Sequence, residues 1–213
     1  MNPVQDWHAE TLGKAACEAL KKNGFDAEYV ADGKAALERL ASFVKPGMSV
    51  GFGGSMSLKA IGAGEKVAAL GARVLDHNAP GLAADEKLGI LRAQLTCDLF
   101  LSSSNAVTLE GEILNVDGNG NRVAALTFGP KKTVVVVGAN KIVRDLDEAF
   151  ARVETYASPM NNKRLDRPNP CVKTGTCEDC HGATRICRVY QILARKPSLS
   201  DFTVIVVGES LGF

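Results

Sequence analysis

The chain has 213 residues, 46% hydrophobic and 23% charged, with a formal net charge of +1, the balance of a soluble globular protein able to build one sizeable α/β domain. No stretch approaches about 18 consecutive apolar residues, so no membrane span is expected. The first residues have neither a basic start nor an apolar core, which excludes a secretory signal and makes the cytoplasm the expected compartment.

The net charge hides an asymmetry. Between residues 159 and 197, Lys163, Arg164, Arg167, Lys173, Arg185, Arg188, Arg195 and Lys196 face only Asp166, Glu178 and Asp179, so that segment is +5 and the remainder −4. Little aromatic interleaving for base stacking accompanies these cations, so nucleic acid is not the expected partner. A solvated surface is the plain explanation, and an anionic small molecule or partner the sharper one.

In chain order, residues 4–22 form a helical stripe through Trp7, Leu12, Ala16, Ala19 and Leu20, closed by Asn23-Gly24. A strand is predicted at 25–31 and a helix at 34–44, capped by Asp32. Pro46-Gly47 forces a turn before a strand at 48–52, followed by glycines and a new helix. The alternation continues with a strand at 72–76, a helix at 85–94 and strands at 99–102 and 112–116. A helix at 120–126, a buried strand at 133–137 and an amphipathic helix at 145–156 follow. Residues 159–200 break the rhythm as a cysteine-rich excursion, and 202–207 (FTVIVV) is a last buried strand. Runs of valine and isoleucine alternating with helices predict a mostly parallel sheet covered on both faces, in one domain spanning 1–213.

Three polar turns are candidates for ligand contact. In SVGFGGSMSL a strand ends at Gly53 and Gly54 and a helix begins at Ser55, so backbone N–H groups and the Ser55 and Ser57 hydroxyls are offered to a phosphate or carboxylate. The turn matches neither the Walker pattern nor the dinucleotide fingerprint, so no nucleotide cofactor motif is present. The plain alternative is a tight turn with Ser55 as a helix cap. The second turn holds Asn105 and Thr108, then Gly120, Asn121 and Arg122; the third holds Asn140 and Lys141 after the valine strand. Ligands in open parallel sheets sit at strand carboxyl ends, so convergence of the three turns predicts a small anionic pocket.

The stretches GFGGSMSL, NAVTLEGEILNVDGNGNRVAAL, FGPKKTVVVVGANKIV and PCVKTGTCEDC…RIC…VGESLGF together resemble the lactate-utilisation (LUD) domain family, in the branch with a cysteine-rich C-terminal segment. The resemblance implies a fold like that of ribose-5-phosphate isomerase and the CoA-transferases, in which a strand, glycine-rich turn and helix bind phosphate or substrate. It also implies a place in L-lactate oxidation, beside iron–sulfur subunits in some members. The function expected on this basis is an accessory component of lactate or other organic-acid oxidation, working with separate redox subunits. The alternatives are a sugar-phosphate isomerase or acyl-CoA-type enzyme using Glu110 or Glu209 with Lys141, and a thiol-based redox-sensing module.

Four of the six cysteines, Cys171, Cys177, Cys180 and Cys187, fall in C-x5-C-x2-C-x6-C spacing. In a reducing compartment such a cluster reads as a metal or redox site before a disulfide framework. Four thiolates suit zinc or an iron–sulfur cluster, which the spacing does not separate; His181 is a possible substitute ligand. A redox-active dithiol and inert thiols are the other readings. Cys17 and Cys97 are expected in the core on helical stretches, His8 on a surface or in packing, and His77 at a strand end within reach of a ligand.

Overall fold

A computed structural model describes residues 2–213. The chain runs α1 (Pro3–Lys22), β1 (Asp26–Val30), α2 (Gly33–Ala41), β2 (Ser49–Phe52), α3 (Met56–Ala60), α4 (Ala63–Ala69), β3 (Arg73–Leu75) and α5 (Ala84–Ala93). It continues through β4 (Leu99–Ser102), β5 (Ala106–Thr108), β6 (Ile113–Asp117), α6 (Asn121–Thr127), β7 (Lys132–Gly138) and β8 (Ile142–Val143). The last elements are α7 (Leu146–Arg152), α8 (Ser158–Arg164), α9 (Cys171–Thr174), β9 (Val189–Leu193) and β10 (Phe202–Val207).

The central sheet has six strands in the order β1-β10-β7-β4-β2-β3, all paired in parallel. Its side chains alternate strictly between faces. Val135, Val137, Val204 and Val206 join Phe100 on the face covered by α1, α5 and α6. Val134, Val136, Ile205 and Val207 join Leu99 and Leu101 on the face covered by α2, α3 and α4. Burial on both faces is why these strands are unbroken apolar runs.

A second sheet, β8-β5-β6-β9, was not evident from the sequence pattern. β5 pairs in parallel with β8 and antiparallel with β6, and β6 pairs antiparallel with β9. Residues 106–108, read above as a polar turn, are therefore a fully buried strand. The strand read at 112–116 belongs to this smaller sheet, which packs Ala106 and Leu114 against Ala149 and Val153.

The helix predicted at 145–156 extends to Arg164 through one π-helical turn, Val153–Ala157, where the Ser158 N–H reaches the Val153 carbonyl. Pro159 lacks the N–H that would continue the α-helical ladder, and the wider turn accommodates it without ending the helix. Cys97 is buried as expected, but it follows a short 3-10 turn, Gln94–Thr96, rather than lying on a helix.

Ile205 is fully buried at the centre of β10, whereas Leu199 is 85% exposed. Chemical denaturation should show Ile205→Ala losing about 2–5 kcal/mol, with Leu199→Ala within about 0.5 kcal/mol of the parent.

Candidate functional site

The chain passes from β2 outward to β3 and returns to place β4 on the other side of β2. The helices after β2 cover one face and α5, before β4, covers the other. Such a reversal opens a crevice outside the carboxyl ends of the strands. Here it holds a cleft of about 370 Å³, the scale of a small-molecule site.

Three strand ends build its floor. Gly53 follows β2 so closely that a Cβ there would lie 2.5 Å from the Ser102 hydroxyl oxygen and 3.0 Å from Cδ of Arg122. Gly54 has φ +68°, a left-handed conformation that lets the chain turn into α3. The Ser55 hydroxyl accepts the Leu58 N–H as the cap of α3. Ser102, which ends β4, and Ser103 and Ser104 after it are all buried and all line the cleft.

After β7 comes Lys141, only 3% exposed. Its ammonium group donates to the Ser57 hydroxyl at 2.9 Å, the Ser103 hydroxyl at 3.0 Å and the Ser104 carbonyl at 3.2 Å. All three acceptors are neutral. Burial, then the Arg152 and Arg122 charges, push its pKa down from 10.5 to about 7. Arg122 donates to the Asn115 side-chain oxygen at 2.7 Å, the Asn105 side-chain oxygen at 3.2 Å and the Val116 carbonyl. Arg152 donates to the Asn105 and Asn140 carbonyls, and its Nη2 is buried without a partner. Desolvation lowers both arginines from their ordinary values.

Among the described residues, none of these three cations forms an ion pair. The acid nearest Arg122, Asp117, is occupied: its carboxylate accepts N–H groups of Gly118, Arg122 and Val123. Lys87, Arg164 and Arg167 add positive charge around the opening, so part of the basic segment faces the cleft. His77 also lines it; burial and then Lys87 lower its pKa, which favours the neutral ring at pH 7.

Of the residues singled out in the sequence, Gly53, Gly54, Ser55, Asn105, Asn121, Arg122 and Lys141 line the cleft. Ser57 lies behind it, fully buried, joining Lys141 to the Leu211 carbonyl. Asn140 also stands behind, donating to the Gly212 carbonyl and accepting the Leu211 N–H. Gly120 caps α6 outside the lining, and the Thr108 hydroxyl accepts the Glu112 N–H within the small sheet. Glu110 sits in the exposed turn after β5, against the end of α1, where its carbonyl accepts from Asn23. The Glu209 carboxylate accepts the Gly33 N–H at the start of α2. Neither carboxylate lines the cleft. Ser102–Ser104, Asn115 and Arg152 were missed, although three serines ending a buried apolar strand are an unusual run.

Cys171, Cys177, Cys180 and Cys187 line a second, much smaller cavity of about 10 Å³, bounded also by Ser158, Asn162, Asn169, Arg185 and Ile186. Cys171 and Cys187 are buried, Cys177 and Cys180 half-buried, and none is in a disulfide. Burial pushes the Cys171 thiol up, and Cys180, Cys187 and Cys177 add to the effect, which marks the four as close neighbours. His181 is exposed outside that lining. Among the described residues, no three His, Cys, Asp or Glu side chains stand in a ligating arrangement. As a donor set, four inward-facing thiols around one cavity fit a soft ion.

The LUD domain profile matches residues 14–207. The chain belongs to the LUD domain family. A solved structure similar to this LUD chain is that of a DUF162 family protein from Deinococcus radiodurans, with a TM-score of 0.51 and 14% identity. The match covers 93% of this chain and 98% of that one, and at such identity it shows a shared fold. No curated protein matches the sequence significantly. Among the described residues, no helix of the LUD chain is long and apolar enough to cross a membrane.

The close approach at Gly53 gives a test of the cleft floor. Gly53→Ala should destabilise the protein by about 1–3 kcal/mol, as overpacking does. Adding Ser102→Ala should restore part of the loss, read as the denaturation midpoint of the single and double variants.

Proposed function

We propose that this LUD chain, of the branch with a cysteine-rich C-terminal segment, binds a small anionic metabolite in the cleft. It would serve as an accessory component of lactate or other organic-acid oxidation, working with separate redox subunits. The observation that carries the reading is the buried Lys141 ammonium held only by neutral oxygens beside two further unpaired cations. Taking a charge out of water is costly unless an opposite charge meets it, and the described residues supply none there. A carboxylate or phosphate entering past Gly53 and Ser103 would supply that charge, with the Gly54–Ser55 backbone and Asn121 offering further polar contacts. Family membership supports a role related to lactate utilisation.

Calorimetry with L-lactate, pyruvate, phosphate and ribose 5-phosphate tests this directly. At least one should bind, and Lys141→Met should weaken it about 10–100-fold, the worth of a charge-assisted hydrogen bond. Absence of binding by all four, or an unchanged affinity in the variant, contradicts the reading.

The pH dependence has a fixed sign. Binding needs the protonated lysine, so affinity should fall as pH rises above about 7. Stability moves the other way. Between about 7 and 10.5 the unfolded chain holds the Lys141 proton that the folded chain has released. Stability from this group therefore rises with pH across that window, a rise that Lys141→Met should remove.

A second reading draws on the same lysine. A fraction present as free amine at neutral pH is able to accept a proton from a bound substrate, as an isomerase or acyl-CoA-type enzyme requires. Turnover of sugar phosphates or CoA thioesters by metal-free protein, lost in Lys141→Met, would favour it.

A further inference from the structure

We propose that Cys171, Cys177, Cys180 and Cys187 bind a single zinc ion, which staples the segment between α8 and β9 and fixes one wall of the cleft.

The segment has almost no core of its own. From 173 to 183 only Cys177 and Cys180 are not fully exposed, and the buried anchors of the whole stretch are Asn169, Cys171 and Cys187. Ordering each residue costs roughly 1–2 kcal/mol of backbone entropy, which burial on this scale does not offset. Small domains and loops in that position commonly depend on a structural metal.

Two of the four sulfurs carry polar contacts of their own. The Asp179 N–H points at the Cys177 sulfur at 3.4 Å, and Asp179 has φ +42°, the left-handed kink that closes the Cys177–Cys180 turn. The Ser158 hydroxyl lies 3.2 Å from the Cys187 sulfur. Such contacts orient metal ligands and spread the charge on sulfur. Arg185 donates to the Cys180 and Cys187 carbonyls and pairs with Asp179, bringing a cation to the rim of the cavity. Loading is a proton exchange: one Zn²⁺ and four thiols give a tetrathiolate complex of charge −2 and four protons.

The four thiols line one cavity of about 10 Å³, and a single structural ion suits a segment with so little core of its own. Loading requires the thiols to close onto the ion, since they line one cavity without standing at ligating positions.

The ion also bears on the cleft. Ser158, Ile186 and Cys187 line both cavities. Drawing Cys187 into a zinc shell therefore fixes the part of the cleft lining that Ser158, Ile186 and Cys187 provide. This consequence rests on the anion reading; the metal site does not.

The test uses the full chain purified under reducing conditions, with metal analysis and titration of the metal-free protein by Co²⁺. The expected result is one zinc per chain and, with cobalt, the intense visible bands of a tetrahedral tetrathiolate, bleached by added zinc. Cys177→Ser, at the half-exposed rim, should weaken zinc binding by more than about a hundredfold, because even outer-shell losses cost 10–100-fold. Cys17→Ala, far from the cluster, should leave it unchanged. Zinc should also raise the melting temperature of the parent but not of Cys177→Ser. Iron with acid-labile sulfide, a disulfide among the four, or four free thiols that take up no cobalt would each overturn the proposal. Failure of the anion reading alone would appear as normal zinc binding with no phosphate or carboxylate affinity.

Discussion

Lys141 is enclosed by Ser57, Ser103 and the Ser104 carbonyl, with Arg122 and Arg152 as its nearest charges. Removing an ammonium from water without an opposite charge is among the costliest things a fold does, and the cost here is seen in a pKa pushed to about 7. Much of the surrounding architecture reads as a device to hold this charge in place. Ser57 passes the contact on to Leu211, Asn140 pins both Leu211 and Gly212, and Arg122 is fixed by Asn115 and Val116. The positive charge is preorganised, so a bound anion would meet donors already aimed at it.

The two sheets divide the task. The central sheet is rigid and apolar on both faces, and the crossing of connections between β2 and β4 opens the crevice into which Gly53 and Ser103 project. The smaller sheet brings Asn105, Asn115 and Val116 to the same place from the side. β6 leads into α6, where Arg122 is the second residue, so the guanidinium bridges one sheet to the other. The π turn at Val153–Ala157 then lets a single long helical run carry Ser158, Asn161 and Arg164 over the opening, while Arg152, just before it, reaches beneath to Asn105.

What the sequence revealed follows from how strongly each segment is buried. Leu99–Ser102 and Phe202–Val207 were legible to the residue because apolar runs bounded by polar turns have few other uses. Ala106–Thr108 is three residues long, preceded by Asn105 and followed two residues on by Glu110-Gly111, so it looked like a turn; its strand character comes from pairing with β6 and β8, which no local pattern encodes. Val189–Leu193 is largely exposed and lacks a clean alternation. The helix predicted to end at 156 runs on to Arg164 because a π turn, which composition does not signal, accommodates Pro159. In the site, Gly53, Gly54 and Lys141 were visible as turn residues after strands. Arg152 was hidden because nothing along a helix marks which cation turns inward. Glu110 and Glu209 looked like candidate acids or bases because a carboxylate's partners lie far along the chain, here Gly33 for Glu209.

The account stands on the protonation state of one lysine, which nuclear magnetic resonance of lysine-labelled protein reads directly. Assigned by Lys141→Met, the Lys141 ε-carbon should titrate near pH 7 in the free protein and shift upward when phosphate or a carboxylate is added. A midpoint near the ordinary 10.5, or one that no anion moves, would contradict the central claim.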